Sequence, residues 1–313
     1  MPSPRVAVVD IGSNTIKVLV AERAPDARIS ALLSKTIDAR ISAGISQNHP
    51  HLTEASMARG IDAIQQLLLS ASPFSPQRTI LVATSAVRDA ENGDDFQKRV
   101  FAATGSSVRI LSGGEEANLI GRGLTCDAAL ASLSNFYVFD LGGGSLECLA
   151  FRQRQIEAGV SLQLGCVRLT EKLVGDSSHP IGPATLAEIQ NFTRATLERS
   201  QFAFTLPPGT PAVGVGGTVT TVRAILAARA GRDLEATSTR VEQRTLRDLM
   251  EELGSMSLEQ RKQVPGLPAG RADVFPTALA TLVAITDIGG FDAYQHSFYN
   301  LRYGLAAEAL DQM

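Results

Sequence analysis

Two stretches of the chain place an aspartate, an apolar residue and a glycine between apolar runs, with a hydroxyl three positions after the glycine. They are "RVAVVDIGSNTIKVLVAE" from Arg5 to Glu22 and "NFYVFDLGGGSLECLAF" at 135–151. Aligned on Asp10 and Asp140, Ile11 meets Leu141, Gly12 meets Gly142, Thr15 meets Ser145 and Leu19 meets Leu149. A lone glycine triplet is usually a loose turn or a linker. A repeat at long separation suggests two related lobes instead. Glycine lets the backbone approach a ligand and lets successive N–H groups converge on an anion, and at Gly143 a positive φ is expected. The implied ligand is a phosphate chain held between two hairpins that each offer an aspartate.

A third glycine site, "AVGVGGTVTTVRAILAA" from Ala212 to Ala228, reads as strand, turn and helix. Its Gly216, Gly217 and Thr218 stand where helix N-terminal amides receive an anion, although helix–strand packing needs glycine about as often. Val219 breaks a GxGxxG pattern and no GxxxxGK[ST] occurs, which excludes a P-loop enzyme.

In "ILSGGEEANLIGRGL", at 110–124, two acids open a helix where its dipole favours negative charge. Adjacent helical positions point about 100° apart, so the two cannot face the same way. Glu116 shares its face with Leu119, Ile120 and Gly123 and is predicted to point inward, whereas Glu115 leans toward Asn118 and Arg122 and is predicted to face water. An inward carboxylate is costly unless it is paired or used, and desolvation would raise its pKa as a general base requires. Arg88, in "ATSAVRDAENGDDF", follows a buried strand, where α/β units bind ligands. The plainer reading of Arg88 is a solvated arginine paired with Asp89 or Glu91, and Arg168 is a weaker candidate of the same kind.

The elements that must position these residues alternate strand and helix, which argues α/β lobes. Strands are predicted at 5–10, 16–22, about 28–36 and 79–86. A helix capped by Thr53 should bury Met57, Ile61, Ile64 and Leu68, and further helices are expected near 93–104, 184–203, 218–230, 244–254 and 270–288. The 313 residues are 44% hydrophobic and 19% charged, with a net charge of −3, so no general basicity advertises a nucleic acid polymer. Cys126, Cys148 and Cys166 read as buried thiols, the four histidines lack zinc spacing, and neither a leader nor a membrane-length apolar run is visible, which places the protein in the cytoplasm.

With these motifs assembled, the chain resembles the exopolyphosphatase and guanosine pentaphosphate phosphatase family, within the actin, sugar-kinase and Hsp70 superfamily. The resemblance rests on "DIGSNTIK" at 10–17, "ATSAVRDAEN" at 83–92, "SGGEEA" at 112–117, "DLGGGSLE" at 140–147, "GVGGTV" at 214–219 and "GLPAGRADV" at 266–274, in family order. It implies an α/β fold of two actin-like (ribonuclease H-like) lobes with an interlobe cleft. Residues 1–123 would form the first lobe, joined by a returning helix at about 299–313, and 124–298 the second. The resemblance casts Glu116 as the base that activates water, and Ser13, Asn14, Arg88, Gly143, Gly144, Ser145, Gly216, Gly217 and Thr218 as phosphate-binding. Asp10, Asp140 and Glu147 would stand at a Mg2+ site. It implies a homodimer that hydrolyses the terminal phosphate of inorganic polyphosphate or, as the alternative, guanosine pentaphosphate. A small-molecule kinase and a non-catalytic phosphate-ligand sensor are the rival classes. The chain departs from the family at Leu146, where a Thr or Ser is usual, and at Asn300 and Tyr303 in "NLRYGL".

Overall fold

The computed structural model describes residues 3–313. They divide into unit 1, which runs to Ser132 and also takes in Tyr299–Met313, and unit 2, Leu133–Phe298. Each is described by itself.

Unit 1 begins with a strand whose residues are nearly all small or branched and buried on both faces, as a central strand requires: β1, Arg5–Ile11. It is followed by β2 (Thr15–Arg23), β3 (Ile29–Asp38), α1 (Glu54–Ala71), β4 (Arg78–Ala83), α2 (Ser85–Arg88), α3 (Gly93–Thr104), β5 (Val108–Ile110) and α4 (Gly113–Thr125), with the sheet order β3-β2-β1-β4-β5. The strand predicted over 79–86 stops at Ala83 because its partner β1 ends at Ile11, directly opposite, and the chain turns into α2. Thr53 caps α1 as expected. The buried line of α1 is Met57, Gly60, Ile64 and Leu67, with Ile61 and Leu68 at its margin rather than on it. The shift follows from Gly60, where an added Cβ would stand 3.0 Å from Ile41 and 3.1 Å from Phe96.

Unit 2 comprises β6 (Phe136–Leu141), β7 (Leu146–Arg152), β8 (Gln155–Leu162), α5 (Cys166–Leu169), α6 (Pro183–Arg199), β9 (Ala212–Val215), α7 (Gly216–Ala230), β10 (Arg240–Glu242), α8 (Gln243–Ser255), α9 (Leu258–Lys262), α10 (Phe275–Gly289) and β11 (Ala293–His296). Its sheet order is β10-β11-β9-β6-β7-β8. Read from β8, this repeats the order of unit 1 and adds β10 at the far edge. In both units the first strand is antiparallel to the second and parallel to the fourth, so each is an actin-like α/β unit. The helix expected over 270–288 starts at Phe275, behind a 3-10 turn at Ala269–Arg271. The helix expected to reach 203 ends at Arg199. Cys148 and Cys166 are buried, but Cys126 is half-exposed.

The last helix, α11 (Leu301–Asp311), belongs to unit 1 and packs on α4. The two helices approach at Gly123 and Gly304: a Cβ on the first would strike the Asn300 carbonyl, and on the second the Leu119 carbonyl. The departure at Asn300 has a local role, since its Oδ1 accepts the Arg302 amide (3.2 Å) and caps α11. Residues 124–132, expected in the second lobe, lie in unit 1, where a short turn at Ala128–Leu130 follows α4.

Candidate active site

The hairpins that open the two units are built alike. Asp10 faces Lys17 and Ile11 faces Ile16 across β1 and β2, and Asp140 faces Glu147 and Leu141 faces Leu146 across β6 and β7. Residues 12–15 and 142–145 are therefore equivalent loops. Each is closed by the same bond, Gly12 N–H to the Thr15 carbonyl (3.1 Å) and Gly142 N–H to the Ser145 carbonyl (3.0 Å). The alignment read from sequence is thus a structural equivalence.

In unit 1 the loop presents Ser13 and Asn14, both buried. The Ser13 hydroxyl shares a 2.9 Å hydrogen bond with that of Ser85, at the start of α2. Asn14 Oδ1 accepts from Arg40 Nε (3.1 Å), while Asn14 Nδ2 is a buried donor with no partner among the described residues. A buried donor left unmade is expensive, and a site that binds an oxygen-rich anion would satisfy it.

Beyond β4 and β5, α2 and α4 bring Arg88 and Glu116 together. Glu116 is 6% exposed. Its Oε2 accepts from Arg88 Nη1 at 2.8 Å, and the same nitrogen donates to the Leu111 carbonyl at 2.9 Å. Arg88 is half-buried and stands 3.6 Å from Asp89, so the plainer pairing with Asp89 is present but secondary to the one with Glu116. Glu115 is turned out as the helical face requires, with its side chain 44% exposed. Its carboxylate completes a capping box, accepting the Ser112 amide at 2.9 Å and the Arg109 guanidinium at 2.6 Å. The Arg109 hydrogen bond, and then the Ser112 amide, hold its pKa down to about 2.

In unit 2 the N-terminal turn of α5 grips the carbonyl edge of the glycine loop. Cys166 N–H donates to Gly142 O, Val167 and Arg168 N–H to Gly143 O, and Arg168 Nε to Gly144 O (3.0 Å). With that edge engaged, the amide edge is the one left to meet an anion. The loop's glycines do not take a positive φ, so the expectation at Gly143 fails; the left-handed glycine of the site is Gly216, at φ +77°. A Cβ there would strike Asp140 Oδ1, so only glycine lets the start of α7 lie against that carboxylate. Arg168, the weaker candidate, is a brace of the loop.

Thr218 is fully buried, and its hydroxyl donates to the Leu141 carbonyl (2.9 Å), tying α7 to the hairpin. Arg271 was not singled out from the sequence, although it lies inside "GLPAGRADV". It is 9% exposed, donates to Thr218 Oγ1 (3.2 Å), stands against Gly217 and keeps a buried Nε without a partner among the described residues. The signal for it was an arginine after Pro-Ala-Gly in a motif already quoted. His296 was also missed. It is buried between Thr220 Oγ1 (3.0 Å) and Arg223 Nη1 (2.8 Å), and burial and then Arg223 depress its pKa to about 3, so it is neutral. Thr220 in turn donates to the Gly216 carbonyl (2.7 Å), which fixes the glycine turn from behind.

Among the described residues no group of three or more His, Cys, Asp and Glu side chains could hold a metal ion. Of the three acids implied for Mg2+, Asp140 and Glu147 are direct cross-strand partners, and Asp10 occupies the matching place in unit 1 opposite Lys17. Like charges directly opposite one another on a sheet are unfavourable unless a cation joins them. Glu147 is 2% exposed and accepts from Ser161 Oγ at 2.7 Å. One or two carboxylates completed by water and substrate phosphates are what Mg2+ takes, so the pair fits it.

The sequence model of the Ppx/GppA phosphatase family matches residues 19–313. Exopolyphosphatase 2 of Mycobacterium tuberculosis is 31% identical over 290 residues, covering 88% of this chain and 87% of that protein. Guanosine-5'-triphosphate,3'-diphosphate pyrophosphatase of Aeromonas salmonicida is 29% identical over 303 residues, covering 97% of this chain; the chain spans 59% of that protein's length. The crystal structure of an exopolyphosphatase from Cytophaga hutchinsonii superposes with a TM-score of 0.87 at 23% identity, covering 99% of this chain and 98% of that one, which speaks to the fold.

Proposed function

The chain belongs to the Ppx/GppA phosphatase family, and we propose that it hydrolyses the terminal phosphoanhydride of inorganic polyphosphate with Glu116 as general base. The observation that carries this reading is Glu116 itself: a buried carboxylate on the apolar face of α4, held at 2.8 Å by Arg88. In a binding-only protein this negative charge would work against the ligand that glycine loops attract.

Phosphoryl transfer asks mainly for positioning and charge stabilisation. Unit 2 contributes the amide edge of the loop Gly143, Gly144 and Ser145, the start of α7 at Gly216 and Gly217, and Arg271 to bind phosphate oxygens. Unit 1 contributes the Asn14 Nδ2 donor and Arg88, whose guanidinium offsets phosphate charge and orients Glu116. Glu116 takes the proton from the attacking water. Asp140 and Glu147 would hold Mg2+, which would supply neutralisation of the anhydride's negative charge.

Guanosine pentaphosphate is the second reading, supported by the Aeromonas relative. The Mycobacterium relative, matched over most of both chains, favours polyphosphate. The test is phosphate release by purified protein from polyphosphates of several lengths, guanosine pentaphosphate and ATP, with and without magnesium. Release from polyphosphate that requires magnesium is expected. A strong preference for guanosine pentaphosphate would reassign the substrate, and no release from any anhydride would overturn the hydrolase reading.

A further inference from the structure

The segment after β3 touches the unit 1 loop at several points. The amides of Ala39 and Arg40 donate to the Asn14 carbonyl at 3.2 and 2.9 Å, and the Ser42 amide donates to the Ser13 carbonyl at 3.2 Å. From α1, Arg59 grips the same segment, with Nε on the Ala39 carbonyl (3.1 Å) and Nη2 on the Arg40 carbonyl (3.0 Å). Arg40 holds a left-handed φ of +40°, a conformation that residues with a Cβ adopt at a cost and that is commonest where function demands it. Resting on the phosphohydrolase reading above, we propose that Arg40 is a positioning residue for Asn14, and that the group it positions is the Asn14 amide as a donor to a substrate phosphate oxygen.

The argument is one of donor and acceptor chemistry. A guanidinium only donates, so Arg40 Nε at 3.1 Å must take the oxygen end of the Asn14 amide. That fixes the NH2 end on the opposite side, where Asn14 Nδ2 is buried and has no partner among the described residues. Were the amide reversed, its oxygen would face the anion and repel it. Ser42 adds a buried hydroxyl beside the same loop, likewise without a partner among the described residues. Unit 2 uses the same device in a different form: Arg168 Nε holds the carbonyl of Gly144, the residue equivalent to Asn14.

The test is a double-mutant cycle on wild type, Arg40→Gln, Asn14→Ala and the double variant. It is read by calorimetric titration with tripolyphosphate and by kcat and KM for phosphate release. Each single variant should bind about 10-fold more weakly, as for loss of a bond to a charged oxygen. The double variant should be no weaker than the worse single, because the two residues act as one unit. KM should rise by the same factor while kcat stays within about threefold of wild type. Arg40→Lys keeps the charge but not the planar fork and should stay weakened; full recovery by Lys would reduce Arg40 to a diffuse charge and overturn the assignment. So would wild-type affinity in Arg40→Gln, or losses that multiply to about 100-fold in the double variant. If Arg40→Gln does not fold, Arg59→Met, which releases the segment from the side of α1, enters the same cycle with the same criteria. Coupled binding without phosphate release would uphold Arg40 and sink the hydrolase reading. Release without coupling would do the reverse.

Discussion

The two hairpins share register, closing bond and place in the sheet, yet their loops are made of different material. Unit 1 places side chains in its loop, Ser13 and Asn14, and sets Arg88 and a buried acid, Glu116, beyond its fourth and fifth strands. Unit 2 empties its loop to glycine, places a second carboxylate opposite Asp140 and puts another glycine turn beyond its fourth strand. At the end of β11, the strand of unit 2 that corresponds to β5, stands a neutral histidine, His296, that braces Gly216 through Thr220. On the reading proposed above, one scaffold would carry the proton chemistry in one copy and anion and cation binding in the other.

The sharpest way to break this division is Glu116→Gln. Turnover should fall about 10²–10⁴-fold while tripolyphosphate affinity stays within a few-fold, since the amide keeps the carboxylate's shape. Loss of affinity with retained turnover would place the chemistry elsewhere. Next is Gly216→Ala in unit 2, whose Cβ would displace Asp140 and strain a backbone at φ +77°. Turnover should drop about 10–100-fold, with a raised magnesium requirement visible in a titration of activity against Mg2+. An unchanged requirement would detach Asp140 from the metal.

A smaller effect is expected at Leu146. Its counterpart in the duplicated hairpin is Ile16, and both are fully buried, so the apolar residue is a core requirement rather than a lost hydroxyl donor. Leu146→Thr should cost about 1–3 kcal/mol of stability with turnover intact, as a melting curve and a rate measurement on one preparation would show. A faster enzyme would mean instead that the Thr or Ser usual at this position supplies a hydroxyl donor to phosphate.

Smallest is Glu115→Gln, expected to leave turnover unchanged and to lower stability by no more than about 1 kcal/mol, because this exposed pair is screened by water. The Glu115 pKa is depressed on folding from 4.5 to about 2. Its stabilisation is therefore fully present above about pH 4.5 and is lost as pH falls toward 2. The melting temperatures of wild type and Glu115→Gln should converge over that interval, and a constant gap would mean that the capping box does not depend on the charge.

The duplication was legible because both hairpins repeat the same residue types in the same order, and the direction of Glu116 because α4 obeys a helical period. What escaped was carried by contacts between distant segments with no local period. Arg40 reaches Asn14 from the loop after β3, Arg271 reaches Thr218 from a 3-10 turn, and His296 meets Arg223 across a strand end. The buried line of α1 was misjudged because residue type alone favours Ile61 over Gly60, whereas close approach to Ile41 and Phe96 favours the residue without a side chain. The short helix α2 has four residues and so no period to detect.

The glycine contact between α4 and α11 ties the candidate base to the order in which the chain is made. Leu301–Asp311 leaves the ribosome after all of unit 2, so α4 lacks its backing at Gly123 until unit 2 has been made. Unit 2 is continuous and can form during translation, whereas unit 1 must hold an incomplete core through that time. Nascent chains stalled before Tyr299 should therefore show a protease-resistant Leu133–Phe298 and a cleavable α4; protection of both would mean that the first segment folds without its returning helix.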